Sequence, residues 1–409
     1  MKQLKIGLTF LFFFALTAPA LACTTAIISG KYTPDGRPVL WKHRDTDFLH
    51  NRLMYFADGK YDYIGLVNSE DIAGDQVWAG TNSKGFAIMN AALYDVNLEN
   101  PTKYKDREGF LMKKALQECA TLKDFEKLLQ KMDKPLGVAA SFGVIDAEGG
   151  AAYYETDNET FVKYDANDPR VAPHGYIIRT NFSYRGKKDK GYGYIRYQNA
   201  QKHFDLAFAT NNLNYKTIIQ DFSRSMYHSL LNTNYKSIAQ SSNKENLFIN
   251  AADLIVRNST SSAVVIQGVN KDESPKLTTM WTLLGYPFTT VATPVWVAGG
   301  NNLPEILTGG EKEPGEASLC EWALTLKKQA YPIQRGSGYK YLNISALYNG
   351  DQKGITQKLI PVENSIFSHT DEVMEEWRTH GMDEKAIHEY YKWLNNFVSM
   401  EYENRFNIQ

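Results

Sequence analysis

Ala20-Leu21-Ala22-Cys23-Thr24-Thr25-Ala26-Ile27-Ile28 is the stretch on which the reading of this chain turns. Its first half closes a leader. Lys2 and Lys5 make a basic start, Ile6 to Thr17 is an uncharged apolar run, and Ala20-Leu21-Ala22 is the small-x-small triplet that signal peptidase cuts. The run is too short and too close to the triplet for a membrane span, and no other uncharged apolar stretch of about 18 residues occurs. Residues 1–22 therefore read as a signal peptide, and the protein as exported, periplasmic or secreted. The second half opens a β-rich run whose first residue, after the cut, is a cysteine.

Cleavage between Ala22 and Cys23 puts a thiol and a free α-amine in the same residue. An unperturbed α-amine titrates at roughly 7.7–8.0, so part of it is neutral near neutral pH. It can take the thiol proton and later return it to a leaving amine. Two plainer readings stand beside this one. A cysteine after a leader can be a lipid anchor, although a lipobox places Leu at −3, where this chain has Ala20. It can also be structural, paired with Cys119 or Cys320 in an oxidising compartment. Three cysteines are too few for a disulfide scaffold, and their odd number leaves at least one thiol free.

Composition narrows the class. The chain has 409 residues with 45 Lys+Arg against 46 Asp+Glu, a balance that argues against a dedicated nucleic-acid binder. At 43% hydrophobic and 22% charged it has the makings of a packed core, not of a disordered chain. After Cys23 the pattern is strand–turn–strand, with Pro34-Asp35-Gly36 as the turn and Pro38 to Trp41 resuming the strand. Strand-like runs follow at Leu53–Phe56, Tyr63–Val67, Val77–Ala79 and Phe86–Leu93. The period then changes to helical through Leu111, Ala115, Leu116 and Cys119, and through Leu122, Phe125, Leu128 and Leu129. Cys119 on such a face reads as a core thiol. Strands return at Ala140–Ile145, Ala151–Glu155, Phe161–Tyr164 and Tyr176–Arg179. Helices are expected at Tyr194–Phe208, Thr217–Leu231 and Ala317–Gln329, with strands at Ser262–Gln267, Thr278–Leu283 and Thr289–Val297 between the last two. The tail from about Asp371 reads as helical. Blocks of strands and blocks of helices predict helices layered on antiparallel sheet, an α+β fold.

Cys23-Thr24-Thr25, then Asp35-Gly36, then Lys42-His43-Arg44-Asp45, resembles the start of N-terminal-nucleophile cysteine hydrolases. That superfamily includes choloylglycine hydrolases, penicillin V acylases, acyl-CoA:6-aminopenicillanic acid acyltransferases and a set of cysteine dipeptidases. Its members read Cys-Thr, Asp-Gly, then Arg-Asn-x-Asp. Counting from Gly36 without gaps puts Asp45 on the motif's Asp, His43 on its Asn and Lys42 on its Arg, with Arg44 close by. A second register, Arg44-x-x-Asp47, needs a two-residue insertion. In either, a carboxylate orients the amine and a cation near the sulfur stabilises thiolate. Gly80-Thr81-Asn82-Ser83-Lys84-Gly85, running on to Asn90, is similar to a second motif of the superfamily, and the resemblance carries an oxyanion-hole donor onto Asn90. Read from the residues alone, Asn82–Gly85 is a hairpin turn. Arg179-Thr180-Asn181-Phe182 resembles a Thr-Asn motif whose Asn amide donates to the developing oxyanion. Gly193-Tyr194-Ile195-Arg196 resembles a helix start that brings an Arg near the thiol. Thr279 to Pro287 resembles a late segment of the acyltransferase-like members.

The resemblance implies a four-layer αββα sandwich over residues 23–330, with a helical C-terminal extension over residues 331–409. It implies a catalytic set of Cys23, Arg44, Asp45, Asn90, Asn181 and Arg196, with no cofactor and no metal. The expected function is hydrolysis of carbon–nitrogen bonds in linear amides other than peptide bonds, on a small-molecule N-acyl substrate, through an acyl-enzyme. Acyl transfer and dipeptide hydrolysis remain open beside it, as does a non-catalytic surface lipoprotein or binding module. No nucleic-acid partner and no membrane span are expected, and a homo-oligomer is left open. The acyl group is not legible.

Overall fold

From Cys23 the chain forms β1 (Cys23–Ile28), β2 (Val39–Asp45), β3 (Asn51–Phe56), β4 (Tyr63–Asn68), β5 (Ala79–Asn82) and β6 (Ala87–Ala92). Helices α1 (Glu108–Glu118) and α2 (Leu122–Lys131) precede β7 (Ala140–Ile145), β8 (Ala151–Thr156), β9 (Phe161–Asp165) and β10 (Tyr176–Arg179). Then come α3 (Tyr194–Ala209), the short α4 (Tyr215–Thr217), the ribbon of β11 (Tyr227–His228) and β12 (Thr233–Asn234), α5 (Tyr235–Gln240) and β13 (Phe248–Asn250). The last part holds β14 (Thr260–Gln267), β15 (Thr279–Leu284), β16 (Thr293–Val295), α6 (Glu305–Thr308), α7 (Ser318–Ala330), β17 (Tyr341–Asn343), α8 (Ile355–His380) and α9 (Glu384–Phe406). This is a computed structural model that describes residues 22–310 and 315–408. The leader expected over residues 1–22 lies outside them except for Ala22.

Two antiparallel sheets form the centre. One has the order β10-β1-β2-β14-β15-β16, and the other is the meander β3-β4-β5-β6-β7-β8-β9. They pack face to face, β1 and β2 against β6, β7 and β8. Every residue of β1, β2, β7 and β8 is buried, which one-sided cover would not achieve. The second cover is helical. Leu111, Ala115, Leu116, Phe125 and Leu129 of α1 and α2 lie on the outside of the meander, and α3, α7, α8 and α9 share the core of the other sheet. The architecture is the four-layer αββα sandwich, with a helical C-terminal region.

The helix expected over Thr217–Leu231 is not formed. One turn of π-helix ends at Phe222 and the chain leaves through Ser223-Arg224-Ser225 into the β11–β12 ribbon. The cause is Arg224. Its fully buried guanidinium makes a two-pronged pair with Glu363 of α8, at 2.7 and 2.8 Å, and donates to the carbonyls of Pro287 and Thr290. The Glu363 carboxylate holds it above the usual arginine range against the lowering effect of burial. A side chain drawn into that pair cannot stay on a surface helix. The C-terminal helix begins at Ile355, well before the expected Asp371. Cys119 is buried beneath α1 and α2, Cys320 is buried on α7, and all three cysteines are free thiols.

Candidate active site

Pairing places the reactive residues. β1 and β2 run antiparallel with Cys23 opposite Arg44, Thr24 opposite His43 and Thr25 opposite Lys42. Residues directly opposite share a face, and neighbours along a strand alternate. Cys23, Thr25, Lys42 and Arg44 therefore point between the two sheets, and Thr24, His43 and Asp45 point toward the helices. The partners agree. Lys42 Nζ donates to Asn90 Oδ1 of β6 at 2.6 Å and to the Trp78 carbonyl at 2.7 Å. Arg44 donates to Asn51 and, at 2.8 Å, to Asn68 Oδ1, with its guanidinium 5.0 Å from the Trp78 ring centre. Thr25 Oγ1 accepts from the Tyr153 hydroxyl of β8 at 2.8 Å.

Both cations on this face are buried and, among the described residues, neither forms a salt bridge. Burial pushes Lys42 down to about 7; the Cys23 thiolate works against that and Arg44 adds to it. Burial likewise lowers Arg44 to about 10, opposed by Cys23 and Glu70. Two cations with neutral partners leave positive potential for a thiolate to neutralise.

Asn181 and Arg196 hold the backbone of Cys23. Cys23 N donates to Asn181 Oδ1 at 3.0 Å, and Arg196 Nη2 donates to the same oxygen at 2.7 Å. Arg196 Nη1 bonds the Cys23 carbonyl and, at 3.0 Å, Thr24 Oγ1. Arginine has only donors, so the Asn181 oxygen must face it. Asn181 Nδ2 consequently points away and donates to the Ala92 carbonyl at 2.8 Å. The sequence reading had this amide donating to an oxyanion; in the structure its oxygen accepts from the Cys23 nitrogen. Asn90 is the reverse case. Lys42 occupies its Oδ1, and among the described residues no acceptor takes its Nδ2. Gly193, at φ 83°, lets Arg196 in; a side chain there would run into the guanidinium.

Asp45 lies on the helix-facing side. Its carboxylate is paired with Arg257, whose Nε donates at 3.1 Å, and accepts from Thr260 Oγ1 at 2.6 Å. Among the described residues it makes no hydrogen bond to Cys23. Burial works to lower Arg257, and the Asp45 carboxylate outweighs it. Burial, with help from Arg257, lowers Arg196 to about 10. Asp47, the carboxylate of the second register, is exposed on the rim of a cavity of about 640 Å³. That cavity reaches Ala22, Arg196 and Arg257, with Tyr192, Tyr339 and Lys340 around it.

The family model for acyl-coenzyme A:6-aminopenicillanic acid acyl-transferase matches residues 34–280. The chain belongs to this family. It sits within the N-terminal-nucleophile superfamily that the sequence resembles, and the matched span carries Lys42 to Asp45, Asn90, Asn181, Arg196 and Arg257. No curated protein matches the chain in sequence. Among solved structures, a Caenorhabditis elegans ortholog of N-acylethanolamine-hydrolyzing acid amidase is 16% identical, with a TM-score of 0.39 over 62% of this chain and 93% of its own. A mutant of conjugated bile acid hydrolase from Clostridium perfringens is 10% identical, with a TM-score of 0.40 over 67% and 92%. Penicillin V acylase from Agrobacterium tumefaciens is 12% identical, with a TM-score of 0.38 over 67% and 86%.

Of the six residues singled out in the sequence, the structure gathers Cys23, Asn181 and Arg196 into one hydrogen-bonded set. Arg44 is placed opposite Cys23, Asn90 is bonded to Lys42, and Asp45 is set on the other side of the strand. Sequence reasoning missed Arg257 and Thr260, which lie more than 200 residues from Asp45 along the chain and carry no motif. It passed over Lys42, although the gap-free count had already put Lys42 on the motif's cationic position.

Proposed function

We propose that this chain is an exported hydrolase of carbon–nitrogen bonds in linear amides, working through Cys23 at the N-terminus of the mature protein. The observation that carries the reading is the treatment of Cys23. Its nitrogen rests on Asn181 Oδ1, its carbonyl is bonded to Arg196, and Arg44 faces it on the paired strand. Cutting after Ala22 turns that nitrogen into an α-amine beside the thiol, already oriented by Asn181. The thiolate attacks the substrate carbonyl, and the Asn90 amide supplies the donor for the oxyanion. The tetrahedral intermediate collapses with departure of a protonated amine, and water then hydrolyses the thioester. The cavity beside Ala22 and Arg196 gives the substrate room on the nitrogen side of Cys23.

The test uses the full chain expressed with its own leader. Mass spectrometry of the exported protein should show a free N-terminal Cys23. A panel of N-acyl-7-amino-4-methylcoumarins, from acetyl to palmitoyl and including phenylacetyl, should release the fluorescent amine. Cys23→Ala should lose about 10⁴-fold or more of that turnover while keeping the thermal midpoint. Undiminished hydrolysis in Cys23→Ala, or a diacylglyceryl group on Cys23, would sink the reading. The family is named for acyl transfer, so each reaction is repeated with an added amine acceptor. Acyl-amide product in place of free acid would make transfer the activity.

A further inference from the structure

We propose that Lys42 holds the proton of the Cys23 thiol, so that the nucleophile is ionised through a lysine–cysteine pair and not by the α-amine alone. The inference rests on Cys23 being the nucleophile and concerns how its proton is stored.

Three observations carry it. The first is position. Lys42 is the diagonal neighbour of Cys23 across the β1–β2 pair, on the same face. Such diagonal neighbours are about 7–8 Å apart at the backbone, a gap that a lysine side chain spans. The second is valence. An ammonium has three N–H donors, and the structure supplies two acceptors, Asn90 Oδ1 and the Trp78 carbonyl. Among the described residues nothing takes the third position. Two acceptors are what a neutral amine needs, with its lone pair left over. They also suit an ammonium whose third N–H awaits an anion. The third is the company around the amine. The charged and titratable groups that act on it are Cys23, across from it, and Arg44 along its own strand, while β6 presents the neutral Asn90. With no carboxylate paired to it, the amine's charge is balanced by thiolate alone. Burial lowers Lys42 to about 7, where a proton can move either way. The resembled motif carries arginine at this position, which supplies charge but cannot accept a proton.

The step is a proton transfer. The S–H bond of Cys23 breaks, an Nζ–H bond forms on Lys42, and the electron pair stays on sulfur. The pair thiol–amine becomes thiolate–ammonium. The ammonium gives that proton to the departing amine nitrogen when the acyl-enzyme forms, and a proton of the water that releases the acyl group restores the thiol.

The test compares unaltered protein with Lys42→Met and Lys42→Arg. Iodoacetamide alkylation of Cys23 is followed by mass spectrometry from pH 5 to 10. Lys42→Met should slow alkylation at pH 7 at least about tenfold and move its midpoint up by a unit or more. Lys42→Arg should keep the midpoint at or below that of the unaltered protein, yet turn over the best coumarin amide at least about 100-fold more slowly. An unmoved alkylation midpoint in Lys42→Met, or full turnover in Lys42→Arg, overturns the assignment. Should Lys42→Met not fold, Lys42→Arg decides alone. Failure of the nucleophile reading shows separately, as hydrolysis that survives Cys23→Ala.

Discussion

Along β2 the charged residues alternate. Lys42 and Arg44 lie between the sheets and face Cys23, while Asp45 faces the helices. Both environments are buried, and both hold a cation. On the helix side Arg257 is neutralised by Asp45, which Thr260 also holds, while Arg196 rests on the Cys23 backbone, Thr24 and Asn181. Between the sheets the cations rest on side-chain amides and a carbonyl, with no carboxylate bonded to either. Asp45 and Arg257 thus make a closed ion pair on the helix side, and Lys42 and Arg44 make an open site between the sheets that a thiolate would complete. One strand, by pleating alone, separates a charge pair that ties the end of β2 to β14 from charges that face Cys23.

The largest effect should come from opening the closed pair. Asp45→Asn keeps the shape of the side chain and leaves Arg257 without its counter-charge. Removing one partner of a buried pair costs about 3–4 kcal/mol, measured by urea unfolding at pH 7. The Cys23 alkylation midpoint should move less than it does in Lys42→Met. If Asp45→Asn moves it further, the two faces of β2 are not electrically separate.

A second, smaller effect comes from the open side and depends on pH. Lys42 titrates near 10.5 when unfolded and near 7 in the fold. Below pH 7 the amine is protonated in both states, so its burial cost is present in full and constant. Between pH 7 and 10.5 the unfolded chain binds a proton that the folded chain does not. Stability therefore rises with pH, by about 1.4 kcal/mol per unit. From pH 7 to 9 the unaltered protein should gain about 2 kcal/mol relative to Lys42→Met in urea unfolding. A constant difference between the two would mean that the folded Lys42–Cys23 pair keeps both its protons throughout.

This contrast explains what could be read in the chain and what could not. Strand alternation, turn residues and helical periodicity are local, so most of β1 to β10 and the helices α1, α2, α3 and α7 were legible within a few residues. The helix expected beyond Phe222 failed because the Arg224–Glu363 pair joins residues 139 apart. The early start of α8 was hidden by Pro361, which speaks against a helix when seen alone. In the site, Cys23, Asn181 and Arg196 were legible because each sits in a short motif. That Asn181 also holds the Cys23 nitrogen through its oxygen was not legible, since which end of the amide faces that nitrogen depends on Arg196 being a pure donor. Asp45 was expected at the amine because sequence spacing cannot tell which face of a strand a residue will take.

The smallest effect tests how tightly the closed side is held. Thr260 sits beside a bulge in β14, with its hydroxyl donating to Asp45 Oδ1 and accepting from the Arg257 backbone N–H at 2.9 Å. Thr260→Val keeps the branched shape and removes both bonds, but leaves the Asp45–Arg257 pair in place. A hydrogen bond to a charged group contributes about 1.5–3 kcal/mol when its partner is left unsatisfied. Here Arg257 continues to satisfy the carboxylate, so the loss should be about 1–2 kcal/mol in urea unfolding, less than for Asp45→Asn. Because Thr260 lies opposite Asp45 on the helix side, Cys23 alkylation should keep its midpoint. If Thr260→Val instead shifted that midpoint as far as Lys42→Met does, then the thiol is tuned through β2 from the helix side, and the separation drawn between its two faces fails.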